Sequence, residues 1–227
     1  MTAAALAASL ARIGQVQPHL SAAASVLIAI TAVAAAVIPG LWPITRHVTT
    51  IAHEGAHATM SSAIGRKVAG IRFQLNGDAE TRFAAGGEFG TAVIRMAGYV
   101  GPSAFGVGAA ELIKAGYIVA VLWIAVVGVL GILALVRSSF GIPIVLAVLI
   151  LLFLLAGFTP VNVQVMTAYA IAWFLVVSGV WNVVAHRNGA GDARLLRDTT
   201  KIPHGFWILL WLAGTVAGLL FAAPLLV

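Results

Sequence analysis

Seven apolar runs constrain this chain more than any other feature; they lie at about residues 21–39, 43–64, 90–113, 116–136, 142–158, 163–184 and 206–226. Several approach or exceed the 18 or so residues needed to cross a bilayer as a helix. With 61% hydrophobic and only 9% charged residues, against about 25% charged in a soluble domain, one globular core cannot hide the excess. The expected fold is an all-α polytopic membrane protein of about seven helical segments, read as a single domain over residues 1–227. Residues 1–20, with one Arg and scattered Leu6, Leu10 and Ile13, read as a short amphipathic or disordered lead-in. They do not read as a cleaved signal peptide.

The net charge of +6 is not a nucleic-acid signal. The basic residues sit in short connections, no Arg/Lys run alternates with aromatics, and no soluble stretch is long enough for a nucleic-acid module. They instead predict an orientation. Residues 65–95 carry Arg66, Lys67, Arg72, Arg82 and Arg95, and residues 186–204 carry Arg187, Arg194, Arg197 and Lys201. If all seven segments cross, Arg12 and Arg137 fall on that same side, and only Arg46 and Lys114 depart from it. The positive-inside rule then puts both stretches and the N-terminus in the cytoplasm of a bacterial-type cell (inner) membrane.

Between the second and third runs, residues 68–75 and 80–84 are rich in β-formers and flank Asn76-Gly77-Asp78. An Asn-Gly step between two such runs predicts a small β-hairpin within residues 65–89. The third run holds Gly98-Tyr99-Val100-Gly101-Pro102-Ser103-Ala104-Phe105-Gly106-Val107-Gly108, small residues that let helices approach closely.

The second run is unusual. It contains Thr45, Arg46, His47, Thr49, Thr50, Ser61 and Ser62, too polar for lipid, so it should be buried among other helices. Within it lies His53-Glu54-Gly55-Ala56-His57. Two imidazoles four residues apart share a helix face and reach one metal ion, and the Glu between them can take a proton from water there. With this composition the pattern arises by accident in roughly 0.3% of chains. There are no cysteines, so a zinc site must be completed by His, Asp or Glu. Asp192, Asp198, His186 and His204 lie in the polar loop 186–204; Asp78, Glu80 and Glu88 lie in the hairpin region. Asp192 is the first choice, because it opens Ala193-Arg194-Leu195-Leu196, a short helix that would hold it rigidly; Asp198 is the second. An isolated loop Asp otherwise caps a helix or pairs with a neighbouring Arg. His47 reads as a structural polar contact, His19 as an interfacial residue, Tyr99 as a packing residue, and Glu111 with Lys114 as an ion pair.

The chain resembles the site-2 protease type of intramembrane zinc metalloproteases, and within it a small bacterial branch. The resemblance rests on His53-Glu54-Gly55-Ala56-His57, the hairpin segment after Gly65, Ala97-Gly98-Tyr99-Val100-Gly101-Pro102, Gly191-Asp192-Ala193 and Thr200-Lys201-Ile202-Pro203. It implies zinc (Zn2+) bound by His53, His57 and Asp192, Glu54 activating water, and a transmembrane protein as substrate within the lipid bilayer. The chain departs from better-known members, which carry an Asn-x-x-Pro segment leading into Asp-Gly. Here Ala193 follows Asp192, and Asn182 and Asn188 precede it without the proline. Two other classes are weighed against a protease: a non-catalytic zinc-binding protein that holds partner helices, which has no need of Glu54, and a small-solute or metal transporter, which would show repeated halves and scattered intramembrane charges. Substrate identity and oligomeric state leave no trace in the sequence.

Overall fold

The computed structural model describes residues 2–74, 77–188 and 191–227. Among them the chain is mostly helical: α1 (Ala3–Ala11), α2 (Ala22–Val37), α3 (Trp42–Ala63), α4 (Glu88–Lys114), α5 (Ile118–Leu135), α6 (Gly141–Phe158), α7 (Val161–Ala185), α8 (Asp192–Thr200) and α9 (His204–Leu226). Between α3 and α4, β1 (Val68–Phe73) and β2 (Ala79–Phe83) pair antiparallel, with Ile71 opposite Thr81 and Arg72 opposite Glu80. Asn76, half of the turn signal, lies outside the described residues.

Each of the seven apolar runs is a helix, and four to five of them are long and apolar enough to cross a bilayer. Among the described residues, only α5, α6, α7 and α9 are individually long and apolar enough to span a bilayer. Helices α2 and α3 meet at 99° across a short break and together make at most one further span. The physical reason lies at the corner and in α3. Pro39-Gly40 does not continue a helix, and the polar α3 needs protein around it. Helix α4 stands outside that set too. Rich in glycine and carrying Arg95, it packs against α3, α7 and α9, where close approach replaces lipid contact.

The lead-in holds the short helix α1, which docks on α6. Ser9 is fully buried, donates to the Ala156 carbonyl, and accepts from Trp123 Nε1 at 3.2 Å and Gln164 Nε2 at 3.1 Å. Glu111 and Lys114 form no ion pair among the described residues; those found are elsewhere, as at Arg46–Asp78.

The main apolar core joins α2, α4, α5, α7 and α9 around Leu122, Tyr169, Trp173 and Val176. A second cluster seats the hairpin: Ile71 and Phe73 bury against Ile51, Ile132, Val136 and Val145. The outer edge of β1 is occupied, because Arg137 N donates to the Ile71 carbonyl at 2.8 Å and Ser138 Oγ accepts from Phe73 N at 2.9 Å. The third cluster docks α8. Ala193 and Leu196 are buried with Tyr99, Val183, Trp207 and Trp211; burying a leucine contributes about 2 kcal/mol, enough to fix one face of a nine-residue helix inward.

Candidate metal centre

Helices α3 and α8 converge on one point. Helix α3 presents His53 and His57 four residues apart, hence one above the other. Helix α8 begins at Asp192 behind a Gly191 cap and, held by Ala193 and Leu196, turns its first side chain toward α3. His53 Nε2 lies 3.2 Å and His57 Nε2 3.0 Å from Asp192 Oδ2, and the two nitrogens are 3.1 Å apart. The ligand atoms of His53, Glu54 and His57 also lie within 4.8 Å of one another, so these residues could hold a metal ion.

The tautomer of His57 sharpens the geometry. Its Nδ1 donates to the Ile94 carbonyl at 2.7 Å, which leaves the Nε2 lone pair of a neutral ring aimed at the Asp192 carboxylate. Two lone pairs facing each other at 3.0 Å repel unless a cation, proton or metal, lies between them. Burial alone would push the Asp192 carboxyl up; positive charge on the imidazoles of His57 and His53, with the hydrogen bonds they then donate, outweighs it and holds the group well below the usual carboxylate range. Its other oxygen accepts from Arg95 Nη1 at 2.8 Å, so both of its oxygens are engaged.

Glu54 is buried, and its Oε2 accepts from Thr81 Oγ1 at 2.6 Å. Strand β2 thus reaches into the site. Glycine at position 98 makes the approach of α4 possible: a Cβ there would collide with the rings of both His57 and His53. Gly101 does the same against Ala56. Tyr99 stands edge-on to His53 with centroids 4.7 Å apart and stacks on Trp211 at 4.2 Å. A cavity of about 320 Å³ opens over these groups, walled by α3, the hairpin, Arg95, Tyr99 and the α7–α8 connection.

The other candidates lie elsewhere. Asp198 is exposed; Arg197, 2.9 Å away, holds its carboxyl below the usual range. Asp78 pairs with Arg46 at 2.6 Å, with His186 Nε2 4.0 Å away; His186 thus borders the cavity without joining the His53–His57–Asp192 triangle. Glu80 pairs with Arg82 on the exposed face of the hairpin. Glu88 and His204 begin α4 and α9. His19 Nδ1 lies 3.3 Å from the Tyr169 hydroxyl, and His47 Nδ1 is buried without a hydrogen-bond partner. Two residues escaped the sequence reading. Arg95 counted only toward orientation, although a lone charge in an otherwise apolar stretch is a site signal in its own right. Thr81 carried no signal, because alternation separates the faces of a strand without saying which one meets Glu54.

A family model described as peptidase M50B-like matches residues 25–222. It covers all of α3, the hairpin and α8, and the chain belongs to that family. No curated protein and no solved structure matches the chain.

Proposed function

We propose that this member of the peptidase M50B-like family is a zinc-dependent intramembrane endopeptidase, cleaving a transmembrane substrate near the cytoplasmic side of a bacterial-type inner membrane. The observation that carries the reading is the triangle of His53 Nε2, His57 Nε2 and Asp192 Oδ2, with edges of 3.0 to 3.2 Å, beside a buried Glu54. The donor set fits zinc. Ligands at about 2.0–2.1 Å in a tetrahedron stand about 3.3 Å apart, and two imidazoles with one carboxylate leave a position for water. On this reading His53, His57 and Asp192 hold the ion. When bound, it supplies Lewis acidity and makes water acidic enough to ionise near pH 7.

The chain's own residues do the rest. Glu54 takes the proton of the attacking water through one carboxylate oxygen while Thr81 holds the other, then returns it to the departing amine. Arg95 and the Ile94 carbonyl orient Asp192 and His57, as partners of metal ligands do. Tyr99, stacked on Trp211, fixes the face of His53.

A substrate helix must unwind before its peptide bonds can react, and the hairpin offers it hydrogen bonds. Gln74 N donates to the Asp78 carbonyl at 2.8 Å, so the register makes 72/80 and 70/82 the hydrogen-bonded pairs and turns the peptide groups of Ala79 and Thr81 outward. With the far edge of β1 taken by residues 136–138, β2 is the edge that borders the cavity, and an unwound segment can add to it as a strand. Ala79→Pro removes an outward N–H without touching the β1 ladder. It should raise KM; unchanged cleavage removes the edge from the mechanism.

The test of the function is cleavage of a co-expressed transmembrane substrate by wild type and by Glu54→Gln. A protease predicts cutting by wild type alone. Equal processing with both would reject the assignment of Glu54. The basic connections 65–89 and 186–204 support the cytoplasmic assignment of this end; cysteine labelling at exposed Arg82 and Arg194 from either side of the membrane tests it.

A further inference from the structure

The outward face of the hairpin is built differently from the face that meets Glu54. Ile71, Phe73 and Thr81 point in and are buried, while Arg72, Glu80 and Arg82 alternate with them and are exposed. Arg137, from the connection between α5 and α6, lies across this face at Gly70. That glycine has φ +148, and a Cβ on it would collide with the Arg137 side chain, so the bulge between Val68 and Gly70 exists where the arginine stem passes. The result is a cleft of about 190 Å³ lined by Ala69, Gly70, Arg72, Arg82 and Arg137. Glu80 stands opposite Arg72 and 3.3 Å from Arg82. Arg137 is anchored on the Ala134 and Val136 carbonyls, at 2.9 and 3.2 Å, which hold it without neutralising it. One carboxylate among three guanidiniums leaves the cleft with uncompensated positive charge.

The level of the cleft selects its ligand. Helices α5 and α6 are 18 residues each, about 27 Å of helix and close to the thickness of the hydrocarbon core. Both end at the 136–140 connection. Arg137 therefore sits where lipid phosphates lie, and β1 is hydrogen-bonded to that connection through Arg137 N and the Ile71 carbonyl. Leu130 on α5 and Ile142 and Leu146 on α6 are exposed in the halves of these helices nearer that connection, an apolar surface for acyl chains. Guanidinium forks match phosphate oxygens in pairs.

We propose that Arg72, Arg82 and Arg137 form a binding site for the phosphate of an anionic membrane lipid. The site is independent of the metal centre, but it lies on the reverse of the strand whose Thr81 holds Glu54. A bound headgroup would thus stiffen the hairpin from behind.

The test is native mass spectrometry of the detergent-purified full chain titrated with phosphatidylglycerol or phosphatidylcholine. One phosphatidylglycerol should bind saturably and at least tenfold more tightly than phosphatidylcholine. Arg72→Gln, on an exposed strand face where folding is not at stake, and Arg137→Gln should each weaken it about fivefold. Arg194→Gln, on the exposed face of α8, should leave it unchanged. Equal binding of the two lipids, unchanged binding in Arg72→Gln, or the same loss in Arg194→Gln each overturns the site. Inorganic phosphate added at millimolar concentration should compete poorly; full displacement by it would make the ligand a soluble anion and overturn the lipid assignment. Activity enters none of these readouts, so failure here leaves the protease reading untouched.

Discussion

Gly98→Ala adds one methyl group where α4 crosses α3, and its consequence follows from what that methyl meets. The new Cβ would overlap both ring edges of the candidate metal centre: Cε1 and Nε2 of His57, and Nε2 of His53. Relief has two routes. If α4 backs away, the packing over Gly101 and Ala56 opens too, and overpacking of this kind costs about 1–3 kcal/mol. If the rings rotate instead, His57 loses its 2.7 Å bond to Ile94 O and the 3.0–3.2 Å triangle spreads. Disturbing the partners that orient metal ligands typically costs 10–100-fold in affinity, so zinc binding should weaken by at least about tenfold whichever route is taken. Gly108→Ala is the matched control. It lies on the same helix, nothing stands within 4 Å of its would-be Cβ, and alanine gains about 0.5–1 kcal/mol over glycine in a helix. The assay is competition for zinc against a chelator of known affinity, with a melting curve for each variant. Gly98→Ala should lose zinc affinity, and Gly108→Ala should keep it and melt slightly higher. Wild-type zinc affinity in Gly98→Ala would refute the claim that the two rings are held by this contact.

Thr81→Val removes the hydroxyl that holds Glu54 Oε2; turnover should fall roughly tenfold, the worth of a hydrogen bond to a charged group, with zinc content and KM kept and Thr81→Ser restoring the rate. Arg95→Gln leaves one Asp192 oxygen without its guanidinium, and chelator competition should show zinc affinity down about 10–100-fold. Ser9→Ala deprives Trp123 and Gln164 of a buried acceptor, so unfolding should report a loss of about 1–3 kcal/mol with zinc affinity untouched. Asp198→Ala, on an exposed pair with Arg197, should change neither zinc content nor melting temperature.

The helices were readable because a bilayer span demands a long apolar run, and most runs are bounded by a visible break, as at Pro39-Gly40, Gly65, Lys114, Arg137, Pro160 and Pro203. The paired strands were readable from their β-formers on either side of the turn. Whether a helix crosses was not readable, because that depends on its neighbours. Helix α4 is wrapped by α3, α7 and α9 and so tolerates glycines and Arg95, and the 99° corner between α2 and α3 leaves no mark beyond the Pro-Gly step. The docking of α1 was hidden for the same reason: the partners of Ser9 lie more than 100 positions away, at Trp123, Ala156 and Gln164. At the candidate metal centre, the spacing of His53 and His57 is a local property of one helix and stands in the sequence. The approach of Asp192 depends on Ala193 and Leu196 burying against Trp207 and Trp211, of which only a short helix after Gly191 could be read. The Thr81 contact with Glu54 depends on which face of a hairpin turns inward, and Ile71 and Phe73 decide that through Val136 and Val145.

Bound zinc is the most direct measure of the proposed site. Zinc per chain should be measured in protein purified without added metal and dialysed, for wild type, Glu54→Gln, His53→Ala, Asp192→Ala and Asp198→Ala. One zinc is expected in wild type, Glu54→Gln and Asp198→Ala, and a large loss in His53→Ala and Asp192→Ala. A wild type without zinc would contradict the account at its root. Zinc retained in Asp192→Ala and lost in Asp198→Ala would contradict the ligand set read from the His53–His57–Asp192 triangle.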